Sequence, residues 1–156
     1  MAGLYYEEFE VGHIFRHSIR RTLTETDNTW FTGVTQNPDA LHLDEEHCQQ
    51  ESEFGTRIIN SCFTLGLMMG IADEDTMLGT VVANLGWDEI RMTKPVLPGD
   101  TLHVETEVVE KRDSKSRPQN GIVTLEHRAF NQRNELVGKC RCTTLQKRLP
   151  AERSIT

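Results

Sequence analysis

The segment from residue 37 to residue 44, Asn-Pro-Asp-Ala-Leu-His-Leu-Asp, concentrates side chains that could move a proton. Imidazole gains and loses a proton near neutral pH, so His42 is of a type that suits a general base. Asp39 could exchange a proton as well, whereas the amide of Asn37 can only orient a neighbouring group. Taken alone, however, a histidine in such a loop is more often a surface residue. In that alternative, His42 simply lies two residues before Asp44, the N-cap of the next helix.

Two further features are suited to negatively charged groups. The apolar segment that follows Asn60 and starts at Ser61 and Cys62 is predicted to be a helix, and the first turn of a helix has free N–H groups and a positive dipole end. A basic cluster later in the chain contains four cations within seven residues, Lys111, Arg112, Lys115 and Arg117. Such side chains at a strand end can hold phosphates, although a solvated hairpin loop would have the same composition.

Length and composition indicate one ordinary globular domain. With 156 residues, 37% of them hydrophobic and 26% charged, the chain is long enough for a real core. We predict that the domain occupies residues 1–150 and that residues 151–156 form a flexible tail. The net charge of −7 argues against non-specific binding to nucleic acids, which requires a basic face.

No segment has the pattern of a membrane span or an export signal. The longest apolar stretch, Cys62–Ala72, is shorter than the roughly 20 residues that cross a bilayer, and residues 1–10 are acidic. The four cysteines form no Cys-x-x-Cys pair and no zinc-like cluster with histidine. We therefore predict reduced thiols in a cytoplasmic protein without a metal site, with Cys140 and Cys142 as buried core residues.

Helix signals dominate the chain before residue 60. Thr24 is in the position of an N-cap, and Asp27 follows three residues later, as in a capping box. The helix that they open is expected to end before Pro38, because the residue preceding proline is disfavoured in a helix. Its apolar face is expected to consist of Trp30, Phe31 and Val34. Asp44 is expected to cap a second, short helix over residues 45–50.

The segment from Ser61 to Ala72 is apolar on nearly every side, which is typical of a helix that is buried all round. Gly66 and Gly70 are expected to form a stripe along which this helix packs closely on a sheet. The acidic run at residues 73–75 is expected to end the helix in a solvated loop, because carboxylates oppose the dipole at a helix C-terminus.

Alternating and apolar runs predict strands in the remainder of the chain. The expected strands are residues 13–22, 80–92, 102–108, 122–130 and 136–145. A helix that is buried on every side requires a sheet that curls around it. The sequence therefore predicts an α+β fold, in which a long helix is wrapped by a curved antiparallel sheet.

Three segments of the chain resemble successive signatures of one enzyme family. Residues 37–44, residues 54–59 (Phe-Gly-Thr-Arg-Ile-Ile) and residues 95–102 (Pro-Val-Leu-Pro-Gly-Asp-Thr-Leu) are similar to those of the MaoC-like dehydratases, which include the (R)-specific enoyl-CoA hydratases. The resemblance spans Tyr5 to Arg148. It implies a single hot-dog domain, a homodimer or higher homo-oligomer, and an acyl-CoA substrate at a subunit interface.

The family resemblance also implies an activity: addition of water to a 2-enoyl-CoA thioester or the reverse, with no cofactor beyond the coenzyme A of the substrate. His42 is then the base. The helix start at Asn60, Ser61 and Cys62 is expected to offer N–H groups to the enolate oxygen. Typical members have an aspartate where this chain has Asn37. Either Asn37 only positions the water and His42 makes both proton transfers, or Asp39 has taken over.

A narrower resemblance concerns the substrate. Residues 114–118, together with residues 121–123 and 126–128, are similar to MaoC-like hydratases of branched dicarboxylyl thioesters, such as mesaconyl-CoA, methylmalyl-CoA and itaconyl-CoA. This branch implies that asparagine is tolerated at position 37. Lys115 and Arg117 are the expected contacts of the coenzyme A phosphates. The candidate cations for a second carboxylate of the acyl group are Arg57, Arg91, Arg16 and Arg20.

Two other functions fit the same fold. A hot-dog acyl-CoA thioesterase needs a carboxylate on or near the buried helix, and residues 61–72 contain neither aspartate nor glutamate. A weakly catalytic acyl-CoA-binding subunit of a hetero-oligomer is consistent with Asn37, but the presence of His42 argues against it. The hydratase is therefore the preferred hypothesis.

Overall fold

A computed structural model describes residues 3–150 of the chain, and the expected tail at residues 151–156 lies outside the described residues. The helices are α1 (Glu25–Val34), α2 (Ala40–Leu43), α3 (Glu45–Glu51) and α4 (Ser61–Thr76). The strands are β1 (Ile14–Arg16), β2 (Arg21–Thr22), β3 (Val81–Met92), β4 (Thr101–Asp113), β5 (Asn120–Phe130) and β6 (Leu136–Lys147). Within this described part, no helix has both the length and the apolarity of a membrane span.

The strands form one sheet in the order β1-β4-β5-β6-β3, with β2 also paired to β4. Every pairing is antiparallel. The predicted single strand over residues 13–22 is wrong, because the chain bends after β1 and turns the ring of His17 into the core. The other predicted strands are confirmed, although β4 continues five residues beyond the predicted end at residue 108, and β3 is left as a long edge of the sheet.

Helix α4 packs against the sheet with Met68, Ile71 and Ala72 buried. The helix continues through the acidic run to Thr76, so the predicted end at Ala72 is wrong. The additional turn places Thr76 in the core with 0% exposure. Burial of this turn outweighs the unfavourable position of three carboxylates near the C-terminus of the helix.

The side of α4 that faces away from the sheet is open in the single chain. Gly66 and Gly70 are exposed, and apart from its chain neighbours and the backbone of the same helix, a Cβ atom added to either would meet no atom of the described residues within 4 Å. The predicted close packing of these glycines on the sheet is therefore wrong. The prediction that this helix is buried on every side is wrong for the same reason.

Helix α1 begins as predicted but buries an unexpected face. The side chain of Thr24 accepts a hydrogen bond from the N–H of Asp27, and the carboxylate of Asp27 accepts one from the N–H of Thr24. Trp30 and Val34 of the predicted apolar face are 65% and 59% exposed, so neither side chain is buried in the core of the single chain. The helix instead buries Asn28, whose side-chain amide forms hydrogen bonds with the backbone of His42, Ile58 and Asn60.

The core consists of two hydrophobic clusters, and a chain of polar side chains runs through it. His17 Nε2 lies 2.7 Å from Thr106 Oγ1, which lies 2.8 Å from His127 Nδ1. Cys140 and Cys142 are buried as predicted. Burial raises the pKa of their thiols to about 12 and about 11, so both remain protonated.

Candidate active site

His42 lies on α2, a single helical turn that the sequence did not predict. Asp39 caps this turn: its Oδ1 accepts a hydrogen bond from the N–H of Leu41 at 3.0 Å, and its carbonyl oxygen accepts one from the N–H of His42 at 3.1 Å. The turn directs His42 inward, and the residue is only 9% exposed. This burial rules out the alternative that His42 is a surface residue.

The ring of His42 is held by one backbone carbonyl. Its Nδ1 lies 2.9 Å from the carbonyl oxygen of Ile58. A carbonyl oxygen can only accept, so Nδ1 must carry the hydrogen. In the neutral ring, Nε2 then has a free lone pair, which is the tautomer that a general base requires.

The two polar side chains that precede His42 are engaged in the same turn. Asn37 Oδ1 accepts a hydrogen bond from the N–H of Asp39 at 2.9 Å, and Asp39 Oδ1 is used by Leu41. The amide nitrogen of Asn37 is left to donate, so it can orient a water molecule but cannot take its proton. Asp39 is exposed and serves as a helix cap, which favours the arrangement in which His42 transfers the protons.

The first turn of α4 is capped by Asn60. Asn60 Oδ1 accepts a hydrogen bond from the N–H of Cys62 at 3.0 Å, and Asn60 O accepts one from the N–H of Thr64 at 3.1 Å. The expected role of Cys62 as a free N–H donor is thereby corrected, because its N–H is occupied. The N–H groups of Ser61 and Phe63 have no acceptor among residues 3–150, so they are the free donors of this helix end.

A cleft of about 270 Å³ lies between the N-terminus of α4, the segment before it and the end of β3. We call it the site cleft. Ser61 and Ile58 both line it, and the carbonyl oxygen of Ile58 holds the His42 ring. The other lining residues are Phe54, Ile59, Thr64, Met92, Thr93, Lys94, Pro95 and Val96. The second and third segments that carried the family resemblance line this cleft, and the first lies next to it through the contact between His42 and Ile58.

Two of the arginines predicted as contacts for a second carboxylate of the acyl group, Arg57 and Arg91, are bound to other groups of the protein. Arg57 is paired with Glu45 at 3.2 Å and with Glu25 at 2.8 Å, so it ties α3 to α1. Arg91 is exposed on β3 and donates to the carbonyl oxygen of the preceding residue. Nor do the described residues contain a group of three His, Cys, Asp or Glu side chains that could hold a metal ion.

The predicted contacts of coenzyme A lie far from the site cleft within one chain. Lys115 and Arg117 are exposed in the loop between β4 and β5, at the end of the sheet where β3 begins. The site cleft is at the end where β3 stops. Arg117 lines a pocket with Leu85, and Leu85 lies seven residues before Met92 of the site cleft, so roughly 20 Å of β3 separates this loop from the cleft. A single chain does not bring Lys115 or Arg117 to His42.

Two residues of the site were missed by sequence reasoning. Lys94 lines the site cleft, and its Nζ lies 2.6 Å from Glu135 Oε1; its only sequence signal is its place directly before the third matched segment. Asn28 contacts the backbone of His42 and two other positions of the site. Its partners are 14 to 32 residues away, so no local pattern distinguishes it from a surface asparagine.

Residues 8–130 of the chain match a family model described as the MaoC like domain. The chain belongs to this MaoC-like domain family. A mesaconyl-CoA hydratase of Haloarcula marismortui is 31% identical to it over 96% of this chain and 42% of that relative. The chain spans less than half the length of the mesaconyl-CoA hydratases that it matches.

Solved structures confirm the fold of this MaoC-like domain. A MaoC-like dehydratase from Rhodospirillum rubrum is 30% identical and superposes with a TM-score of 0.82, over 95% of this chain and 99% of that chain. A protein from Mycobacterium tuberculosis with a double hot-dog fold is 22% identical, with a TM-score of 0.86 over 96% of this chain and 46% of that chain. The predicted α+β hot-dog fold is thus confirmed.

Proposed function

We propose that this MaoC-like domain adds water to a short 2-enoyl-CoA thioester, or removes water in the reverse direction. One observation carries the proposal: the Nδ1–H of His42 is fixed by the Ile58 carbonyl at the wall of the site cleft, which leaves Nε2 as a base. Ser61, at the start of α4, lines the same cleft. The similarity to mesaconyl-CoA hydratases supports the reaction class.

In the proposed reaction, Nε2 of His42 takes a proton from water while the water oxygen bonds to the β-carbon of the enoyl group. The electron pair of the double bond moves toward the thioester carbonyl and creates an enolate oxygen. The free N–H of Ser61 and the positive end of α4 stabilise that oxygen. The imidazolium of His42 then gives its proton to the α-carbon, so one water is added and no other group is consumed.

Asn37 has an orienting role in this scheme. Its amide nitrogen donates to the water oxygen, while its Oδ1 keeps the bond to the N–H of Asp39. Because His42 makes both proton transfers, the mechanism does not require a catalytic aspartate or glutamate. The side chains and the helix end supply all the chemistry, so the proposal includes no cofactor apart from the coenzyme A of the substrate.

We propose a branched, dicarboxylic acyl group as the substrate class. The support is the relationship to mesaconyl-CoA hydratases and one cation at the cleft. Lys94 lines the cleft and its side chain is 52% exposed, so its ammonium can attract a second carboxylate even while it contacts Glu135. Arg57 is less available because two ion pairs hold its guanidinium.

We propose that the protein forms a homodimer or a higher homo-oligomer through the edge strand β3. A long, unpaired edge with apolar side chains is a surface on which another strand can add. The exposed apolar residues of β3 are Val82, Leu85, Trp87, Ile90 and Met92. The open stripe of α4 with Gly66 and Gly70 is further surface that a second copy can cover.

Antiparallel pairing of two β3 edges would also complete the binding site. It places the beginning of one β3 beside the end of the other. The loop with Lys115 and Arg117 from one copy would then lie near the site cleft of the second copy. Within residues 3–150 these two cations make no ion pair, so both are available for the phosphates of coenzyme A.

A thioesterase is the second candidate, and the structure favours it more than the sequence did. Because α4 extends beyond Ala72, its Asp73 lines a separate cavity of about 240 Å³, together with Asn84 and Trp87. Burial raises the pKa of the Asp73 carboxyl above its ordinary value, which suits a base that works closer to neutral pH. Thioester hydrolysis releases a thiol, whereas hydration releases none.

We also propose that the protein works in the cytoplasm. Its four cysteines are free thiols, as is usual in a reducing compartment. Fractionation of cells that contain a tagged chain tests this location, and recovery of the tag outside the cytoplasmic fraction would contradict it.

A spectrophotometric assay with crotonyl-, hexenoyl-, mesaconyl- and itaconyl-CoA tests the proposed function. We expect the wild type to consume the conjugated double bond, with the dicarboxylic thioesters preferred. His42→Ala should abolish turnover, whereas His47→Ala, which changes an exposed histidine of α3, should retain it. Asn37→Ala should lower kcat roughly tenfold, because the water loses its orientation.

The other outcomes separate the alternatives. An unchanged rate in His42→Ala would remove His42 from the mechanism. Thiol release without loss of the double bond, abolished by Asp73→Asn, would establish the thioesterase instead. Binding of acyl-CoA with neither reaction would identify a non-catalytic subunit, with Asn37 as the reason.

A further inference from the structure

Asn28 is a fully used amide in the middle of the candidate site. It is 2% exposed and lies on the buried side of α1. Its Nδ2 donates to the carbonyl oxygens of His42 at 3.2 Å and Ile58 at 3.1 Å, and its Oδ1 accepts from the N–H of Asn60 at 2.8 Å. A primary amide has two N–H donors, so both are satisfied by backbone oxygens.

These three contacts connect the two functional halves of the site. On one side, the carbonyl oxygen of Ile58 accepts both from Asn28 and from the Nδ1–H of His42. On the other side, Asn60 is the N-cap of α4, whose first turn has the free N–H groups. The side chain of Asn28 therefore binds both the Ile58 carbonyl, which orients the His42 ring, and the backbone N–H of Asn60 at the start of α4.

We propose that Asn28 is a positioning residue that sets the orientation of the His42 ring relative to the N-terminus of α4. This inference rests on the proposed hydration, because it assigns a catalytic consequence to that geometry. Asn28 itself touches only backbone atoms of the site.

The physical reason is that Asn28 fixes the carbonyl of Ile58. A carbonyl that accepts two hydrogen bonds has little freedom to rotate, and the ring plane of His42 follows the direction of that carbonyl. A buried amide is costly unless all its groups are paired, and here they are paired with three backbone groups from two segments. Loss of Asn28 would leave the carbonyl oxygen of His42 without this donor and free the ring to turn.

Two substitutions separate the contacts of Asn28 with the carbonyls of His42 and Ile58 from its contact with the N–H of Asn60. Asn28→Asp keeps an oxygen for the N–H of Asn60 but removes both donors to the carbonyls of His42 and Ile58. Asn28→Ala removes all three contacts and retains a strong helix former in α1. We expect kcat to fall about 10- to 100-fold in both variants, because small misplacements of a catalytic group have effects of this size. KM should change mainly in Asn28→Ala, where the α4 terminus is also released.

The decisive measurement is the ¹⁵N NMR spectrum of the histidine rings, in which the signals of His42 are assigned by their absence from His42→Ala. The wild type should show a protonated Nδ1 and an unprotonated Nε2. Both Asn28 variants should shift the ring toward a mixture of tautomers. The matched control is Asn131→Ala: Asn131 is 1% exposed and bonds only within the turn between β5 and β6, so its loss should leave the His42 signals unchanged.

Each outcome has one meaning. Wild-type ring signals and wild-type kcat in folded Asn28→Asp and Asn28→Ala would overturn the inference. Lower kcat with unchanged ring signals would also overturn it, since Asn28 would then act by another route. If the ring signals change but the wild type hydrates no thioester, Asn28 still positions His42 and the proposed function fails instead.

Discussion

His127 shows at the level of one residue how the core constrains protonation. It is 0% exposed on β5, and its Nδ1 lies 2.8 Å from Thr106 Oγ1. Its Nε2 has no hydrogen-bond partner among residues 3–150. Burial, with a smaller contribution from His17, lowers the pKa of His127 to about 3. The folded protein therefore holds this ring neutral far below neutral pH.

This pKa predicts a loss of stability in acid. An exposed histidine in the unfolded chain titrates near pH 6.5, so below that pH the unfolded state binds one proton more than the folded state. The stabilisation is complete above about pH 6.5 and is lost as the pH falls toward 3. We expect the free energy of unfolding from urea titrations to fall by up to about 1.4 kcal/mol per pH unit from this residue alone.

The variant His127→Gln should remove that contribution and flatten the dependence between pH 7 and pH 5. His47→Gln is the control, since His47 is exposed and makes no side-chain contact in the core. An equally steep dependence in His127→Gln and the wild type would show that His127 is not the buried neutral group. The comparison uses slopes, so a constant loss of stability in the variant does not affect it.

At the level of elements, the N-terminus of α4 depends on its cap at Asn60. Asn60, and not Ser61, accepts the hydrogen bond from the N–H of Cys62. Asn60→Ala should therefore lower the free energy of unfolding by about 1 kcal/mol, the usual loss for an N-cap. Ser61→Ala, one residue later, should leave it unchanged. Chemical denaturation of the two variants checks this, and a larger loss in Ser61→Ala than in Asn60→Ala would place the cap at Ser61 instead.

At the level of the whole molecule, the apolar edge of β3 is a feature that a single chain does not explain. Leu85 and Trp87 are 52% and 50% exposed there. Replacement of both by lysine should prevent pairing of two copies, because charges on an edge strand oppose the addition of another strand. Light scattering after gel filtration should then show a monomer where the wild type is a dimer or larger. Hydration should fall with it, since Lys115 and Arg117 would no longer reach the site cleft.

Val11→Lys is the matched control for the edge. Val11 is 59% exposed but lies outside β3, so its substitution also replaces an exposed apolar side chain by lysine and should preserve both assembly and activity. A wild type that is monomeric and fully active would contradict the proposed assembly. An assembly that survives Leu85→Lys with Trp87→Lys would place the interface elsewhere.

Most elements of this fold could be predicted because their signals are local. The capping box of Thr24 and Asp27, the cap at Asp44 and the alternation in β4 depend on residues a few positions apart, and the structure confirms each of them. The family resemblance was confirmed as well, because it depends on short segments with recognisable order. His42 could be selected in the same way, although its role as the base stays a prediction.

By itself, then, the sequence determined the order and type of most elements, the family and the candidate base. Only the tertiary structure decided the tautomer of His42, the occupation of the Cys62 N–H, the role of Asn28 and the distance of Lys115 from the cleft. The reason is physical: each of these depends on a contact, or on the lack of one, between segments that are distant along the chain. The end of α4 was decided in the same way, because burial against the sheet outweighed the local effect of three carboxylates.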